Sequence, residues 1–482
     1  MIYDNIPILK SIKEYWDTQS IPFHMPGHKR GKIFKKLGLD YLMENLIEMD
    51  TTEVPGVDNL HSPEEAIKEA QELAAKAFGA DHTFFLVNGT TSGIYAMILS
   101  ATKPGDKILI PRNAHRSVVS GTILGRLHPV YMMPEIDQYM EIAMGIKPAT
   151  VEKALEQNPD ASAVLVTNPT YYGACSDIEK IAGIVHKKGK LLLVDEAHGS
   201  HFIFHPKLPI SAMEAGADMV AQSTHKTLTS MTGSSMLHVR EGRVDIEKVK
   251  FYLQLIQTTS PSHVMLASLD LARYIMEEYG YKLLDDCIKY SNWTRDEINS
   301  KSPLYCLGQD RKNIYGIHDI DPTRITVCLK GIDLRGFKAD EILRSRYNIQ
   351  VEMSDFWNIV AITSIADDES SYKKFCQALL NMQSDVEENI SITEQGYPIH
   401  TPECIMAPYE ALNHEKEYIE IEKSPGHISA EMVVPYPPGI PIIMPGEYIQ
   451  KDIVEYLRQC VDTGMKISGT SDPKLRKIKV LK

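Results

Sequence analysis

Leu191-Leu192-Leu193-Val194-Asp195-Glu196-Ala197-His198 decides the reading of this 482-residue chain. Its first four residues are an unbroken apolar run, as a strand buried on both faces of a parallel sheet requires. The next four turn acidic where such a strand would end. A second largely apolar run, Ala217-Asp218-Met219-Val220-Ala221, leads to Ser223-Thr224-His225-Lys226 at the mouth of another strand, with Lys226 thirty-one residues after Asp195. A lysine in that place, partly stripped of water and near other cations, has a lowered pKa and a nucleophilic amine. Taken alone, Lys226 is a solvent lysine beyond a strand, where most lysines lie. The carboxylate at a second strand end makes it more than that.

Outward from this pair, strand and helix signals alternate. Residues 83–87, 107–110, 163–167, 191–194 and 219–222 read as strands. Residues 63–79, 91–101 and 178–188 read as helices, the first with Ser62 as N-cap and Pro63 in its first turn. This is the pattern of an α/β fold with a mainly parallel, doubly wound sheet that binds ligands at the carboxyl ends of its strands. A helical region over 244–300 leaves that layer. Strand-like 324–329 and 359–363 then flank a helical 339–347, which predicts a smaller α+β unit. The polar stretch 384–389 marks a boundary, and four prolines within 434–441 exclude a helix interior or central strand there. The expected organisation is an N-terminal segment 1–50, a large domain 51–300, a small α+β domain 301–389 and a C-terminal domain 390–482.

A net charge of −13 without a basic block disfavours a nucleic-acid partner. No run approaches the length of a membrane helix, and the N-terminus lacks a signal-peptide pattern, so a cytoplasmic location is expected. The seven cysteines are scattered and never paired as CxxC, which predicts reduced thiols. Asp195 to His198 spell DEAH, but no GxxxxGK[ST] loop precedes them, so a helicase reading fails. His198, His201 and His205 are broken by Gly199 and Pro206, and His24 and His28 straddle Pro26-Gly27. Neither set makes a metal site.

Lysine and aspartate on adjacent strand ends suit pyridoxal 5'-phosphate (PLP). The amine holds the aldehyde as a Schiff base, and the carboxylate keeps the pyridine nitrogen protonated so that the ring acts as an electron sink. Asn88-Gly89-Thr90-Thr91-Ser92-Gly93, between a strand and a helix, offers backbone N–H groups and hydroxyls as a phosphate cradle. Ser223 and His225 flank the lysine and offer further donors. His115, in Pro111-Arg112-Asn113-Ala114-His115-Arg116-Ser117, sits where an imidazole would stack on the pyridine.

Together GTTSG (89–93), PRNAHRS (111–117), TNPTYYG (167–173), VDEAHGSH (194–201), STHKT (223–227), TTSPSH (258–263), ASLDLAR (267–273), DPTR (321–324) and VPYPPGIPIIMPGE (434–447) resemble the bacterial ornithine/lysine/arginine decarboxylases. HMPGHKRG (24–31) is similar to the family's N-terminal signature, and the early start of the PLP domain resembles its short subgroup. The resemblance implies a fold-type-I, aspartate-aminotransferase-like large domain. It implies that Lys226 carries PLP, Asp195 pairs with the pyridine nitrogen and His115 stacks on the ring. Thr90, Thr91, Ser223 and His225 would hold the phosphate, with His198 lining the cofactor pocket. It further implies a homodimer in which 258–262 reaches the neighbouring subunit's cofactor. The expected reaction is decarboxylation of a basic amino acid, arginine to agmatine for polyamine synthesis, with lysine and ornithine as alternative substrates. Glu447 and Asp58 are candidate carboxylates for the substrate's cationic end. A fold-type-I aminotransferase with Arg324 clamping the α-carboxylate, an aldolase-type lyase and a catalytically inactive relative are the rival readings.

Overall fold

The computed structural model describes residues 6–42, 44–382, 402–436, 440–462 and 464–482. Its centre is a seven-stranded sheet of β1 (His82–Leu86), β2 (Lys107–Pro111), β3 (His128–Met132), β4 (Ala163–Thr167), β5 (Leu191–Asp195), β6 (Met219–Gln222) and β7 (Ser235–Val239), in the order β1-β7-β6-β5-β4-β2-β3. β7 runs antiparallel to both its neighbours, and every other pairing is parallel. Leu193 packs into the apolar cluster on one face, with Ile94 and Val118. Leu192 and Val194 pack into the other, with Ile181 and Val185. An unbroken apolar run is what a strand covered on both sides needs. Helices α1 (Ala66–Ala77), α2 (Gly89–Ala101), α3 (Arg116–Leu124), α4 (Pro148–Gln157) and α5 (Ile178–Lys187) alternate with the strands, and α6 (Ile246–Ile256) and α7 (His263–Lys301) follow.

Two strands go beyond the periodicity reading. β3 contains Pro129, which a central strand would reject, and it lies at the sheet edge where a missing donor costs nothing. β7 is wholly buried yet carries His238, whose ring is satisfied by Thr83 Oγ1 at 2.8 Å and Gln222 Oε1 at 3.1 Å. The cap of α1 also differs from expectation. The Asp58 carboxylate, not Ser62, accepts the N–H groups of Glu64, Glu65 and Ile67 at 2.9–3.0 Å. A carboxylate at that end also meets the positive pole of the helix.

A four-stranded antiparallel sheet follows, of β8 (Tyr305–Cys306), β9 (Arg324–Cys328), β10 (Met353–Ser354) and β11 (Asn358–Ile362), in the order β8-β9-β11-β10. Val327, Ile359 and Phe375 centre its core, which also takes in Phe23 from the N-terminal strand Ile21–Phe23, paired in parallel with Ile349–Val351. The loop after that strand reaches the sheet ends. Gly27 N–H donates to His225 O at 2.9 Å, and a Cβ at Gly27 would fall 1.9 Å from Leu228 O. Lys29, only 1% exposed, donates to Ile362 O at 2.8 Å. The chain from 24 to 30 is thus wedged between the Lys226 turn and the smaller sheet.

The C-terminal residues form a further core around Ile421, Val433, Ile453, Leu457 and Ile478. Among the described residues Val434–Tyr436 pairs only with Lys466–Ser468, in keeping with Pro435; residues 437–439 and the boundary stretch 384–389 lie outside the described residues. This unit is tied to the large sheet by a buried ion pair. Arg112 contacts both carboxylate oxygens of Glu447 and donates to Ile442 O at 2.7 Å, while Met444 N–H donates to Glu447 Oε2 at 2.8 Å. Arg112→Ala strands a buried carboxylate and is expected to cost about 3–5 kcal/mol in chemical denaturation, whereas a loss below about 1 kcal/mol would contradict the tie.

Candidate active site

The carboxyl ends of the central strands open into a cavity of about 350 Å³. Sheet register makes it. Ala221 pairs with Asp195 across β6 and β5, and Thr167 pairs with Asp195 across β4 and β5, so the strand ends carrying Asp195 and Lys226 are level. Lys226 lies on the short helical turn Thr224–Thr227 directly after β6. Thr90, Thr91, His115, Asp195, His198, Ser223, His225 and Lys226 all line this one cavity. The residues that the sequence reading assigned to the cofactor therefore all line one cavity.

At one end, the first turn of α2 meets a cluster of hydroxyls. Gly89, at φ +72, turns the chain from β1 into the helix with its N–H on Gly233 O at 2.7 Å. Thr90 Oγ1 contacts Ser223 Oγ and lies 2.8 Å from Ser235 Oγ. Ser92 turns away, donating to Gly89 O at 2.7 Å, so the hydroxyls at this end come from Thr90, Thr91 and Ser223. His225 Nδ1 lies 2.7 Å from Ser234 O, to which it can only donate, so Nε2 carries a second proton only in the charged ring. Helix N–H groups with convergent hydroxyls are the donor set a phosphate takes.

At the other end sit the titratable groups. Burial pushes the Lys226 ammonium below its usual range, opposed by the charge of Asp195. Burial likewise raises the Asp195 carboxyl, opposed by Lys226 and by the Ala197 N–H at 3.2 Å. Lys226 Nζ lies 3.1 Å from His198 Nε2, whose Nδ1 lies 3.1 Å from Arg324 Nη2. The Tyr171 ring packs 4.3 Å from the His198 ring and 5.6 Å from Lys226 Nζ. An amine, an opposed carboxylate, an aromatic wall and a phosphate-type cradle in one cavity fit PLP.

Burial, then the neighbouring Lys226, pushes His115 down to about 4; burial does the same for His225. Unfolded imidazoles take up a proton at the ordinary value of 6.5, and the folded rings resist down to about 4. The unfolded chain therefore binds more protons in that window. This contribution to stability is intact above pH 6.5 and is lost as the pH falls towards 4. Melting temperatures of the PLP-free protein should drop across that range, and a flat profile would contradict these two environments.

Asp58 and Glu447, the carboxylates considered for the substrate's cationic end, are committed elsewhere: Asp58 caps α1 and Glu447 is locked to Arg112. Sequence reading gave Tyr171 and Met25 no role, although both line the cavity. Each lies in a motif that carried the resemblance, TNPTYYG and HMPGHKRG, and that was the available signal. Among the described residues no helix is long and apolar enough to cross a membrane.

The family described as "Orn/Lys/Arg decarboxylase, major domain" matches residues 6–325, and its C-terminal domain matches 392–472. An arginine decarboxylase of Bacillus anthracis is 40% identical over 99% of this chain and 97% of its own length. A lysine decarboxylase of Pseudomonas aeruginosa is 25% identical over 94% of this chain and 75% of its own. The crystal structure of a Francisella novicida lysine decarboxylase covers 95% of this chain and 78% of that one, with a TM-score of 0.76 at 24% identity, a likeness of fold. The chain belongs to the Orn/Lys/Arg decarboxylase family and is a PLP-dependent amino-acid decarboxylase.

Proposed function

We propose that the enzyme removes the α-carboxylate of L-arginine as CO₂, leaving agmatine, and so feeds polyamine synthesis in the cytoplasm. The observation that carries the substrate is relatedness: 40% identity over nearly the full length with an arginine decarboxylase, against 25% with a lysine decarboxylase.

PLP, when bound, supplies an electron sink for the pair that departing CO₂ leaves on Cα. Lys226 would hold it through Nζ, and Asp195 would keep a proton on its ring nitrogen. His115 would meet the ring, and His198 lines the same pocket. Thr90, Thr91, Ser223 and His225 would hold the phosphate. The cavity walls orient the substrate so that the Cα–carboxylate bond, not another bond at Cα, lines up for cleavage. Lys226 or a neighbouring histidine returns a proton to Cα.

The assembly we propose is a homodimer in which the segment 258–262 reaches the partner's cofactor. Residues 258–260 are exposed in the single chain, which leaves this hydroxyl-bearing run available. We also retain the division into 1–50, 51–300, 301–389 and 390–482.

PLP-loaded protein offered arginine, lysine and ornithine separately tests the substrate. Agmatine formed with kcat/KM at least about tenfold above the other two, or about 1.4 kcal/mol of discrimination, supports arginine. Cadaverine or putrescine as the dominant product overturns it. A keto acid without CO₂ would instead favour an aminotransferase.

A further inference from the structure

Arg324 lies on β9, 126 residues from His198 in sequence, and is 2% exposed. Its Nη1 is buried without a hydrogen-bond partner among the described residues, and its Nη2 lies 3.1 Å from His198 Nδ1, while His198 Nε2 faces Lys226 Nζ at the same distance.

A guanidinium has N–H donors and no acceptor, so Nδ1 must offer its lone pair to Arg324. A neutral imidazole with a bare Nδ1 carries its proton on Nε2. The Nε2–H then points at Nζ, and that contact is a hydrogen bond only if Nζ accepts. An ammonium has no lone pair and cannot accept.

We propose that Arg324 is a positioning residue that fixes His198 in the Nε2–H tautomer, so that whenever Lys226 is a free amine it is held neutral with its lone pair engaged by His198. This goes beyond the assignment of His198 as a pocket residue, and it does not depend on which amino acid is decarboxylated. Two observations surround it. The Tyr171 ring packs against the His198 ring, with centroids 4.3 Å apart. Burial keeps the His198 ring well below its ordinary pKa, reinforced by the Arg324 guanidinium and by Lys226 whenever it is charged.

The groups around Lys226 do not pull one way. Asp195 from β5 and Glu352 ahead of β10 favour the ammonium, and Arg324 opposes it. Lys226 in turn lowers His115, His198 and His225. Among these, the Arg324–His198 pair acts by geometry as well as charge, because it decides whether a donor or an acceptor meets Nζ.

The first test needs no substitution at Arg324. In PLP-free protein labelled with ¹⁵N-histidine, with the His198 signals assigned by their loss in His198→Phe, the inference predicts a protonated Nε2 and a bare Nδ1 at neutral pH. A protonated Nδ1 overturns it. The second test follows covalent attachment of PLP by absorbance as a function of pH. In that reaction the Nζ lone pair bonds the aldehyde carbon, and the oxygen leaves as water with both amine hydrogens. Arg324→Met and His198→Phe are each expected to move the midpoint of the attachment rate up by about one pH unit, a tenfold slowing below it. The double variant should shift by clearly less than the sum. Additive shifts would make Arg324 an independent charge and overturn the positioning role, as would an unchanged midpoint in Arg324→Met.

Discussion

Lys226→Ala is expected to reduce CO₂ release to the assay background and to abolish covalent retention of PLP through gel filtration. The side chain is the amine at the mouth of β6, level with Asp195 and held by His198 at 3.1 Å. No other lysine lines the cavity, so nothing among the described residues takes over its role. The same substitution tests whether the loss is chemical. Lys226 is half-buried and desolvation disfavours its charged form, so its removal relieves that cost while taking an opposing charge from Asp195. The variant should fold with a melting temperature close to that of the PLP-free parent. Retained turnover would remove Lys226 from the mechanism, and loss of activity through unfolding would leave its role unproved.

Asp195→Ala is the second large effect. Asp195 ends β5, fully buried, with its Oδ1 on the Ala197 N–H at 3.2 Å. In the proposed mechanism this carboxylate would keep the pyridine nitrogen protonated, and a fixed charge in a water-poor site counts for more than one in solvent. Its loss should slow decarboxylation by at least about a hundredfold and weaken PLP binding, with Lys226 still able to attach. A rate within a few-fold of the parent would show that another group serves the ring nitrogen. The two variants separate the roles: one removes the attachment, the other leaves it in place and weakens the sink.

Strand ends were the legible part of this chain. Leu191–Asp195 and Met219–Gln222 are short apolar runs whose only stable place is between two helical layers, and in a parallel sheet their carboxyl ends must lie side by side. That rule brought Asp195 to Lys226 and the glycine turn at 89 to Ser223. Features without a local period were not legible. β3 hides behind Pro129, and β7 behind a histidine satisfied by two partners on other strands. Asp58 caps a helix from outside the run that reads as helical. Glu447 looks like a free carboxylate until the fold delivers Arg112 from 335 residues away. The loop at 24–30 belongs here too. Its buried Lys29 and its contact with the Lys226 turn follow from tertiary packing that no window of sequence contains.

Borohydride reduction of PLP-loaded protein, followed by proteolysis and mass mapping of the pyridoxyl label, tests the central assignment most directly. The account predicts the label on Lys226, in the peptide containing Ser223-Thr224-His225, and nowhere else in comparable yield. The label on Lys29, the deeply buried lysine of the 24–30 loop, or spread over surface lysines, would contradict it.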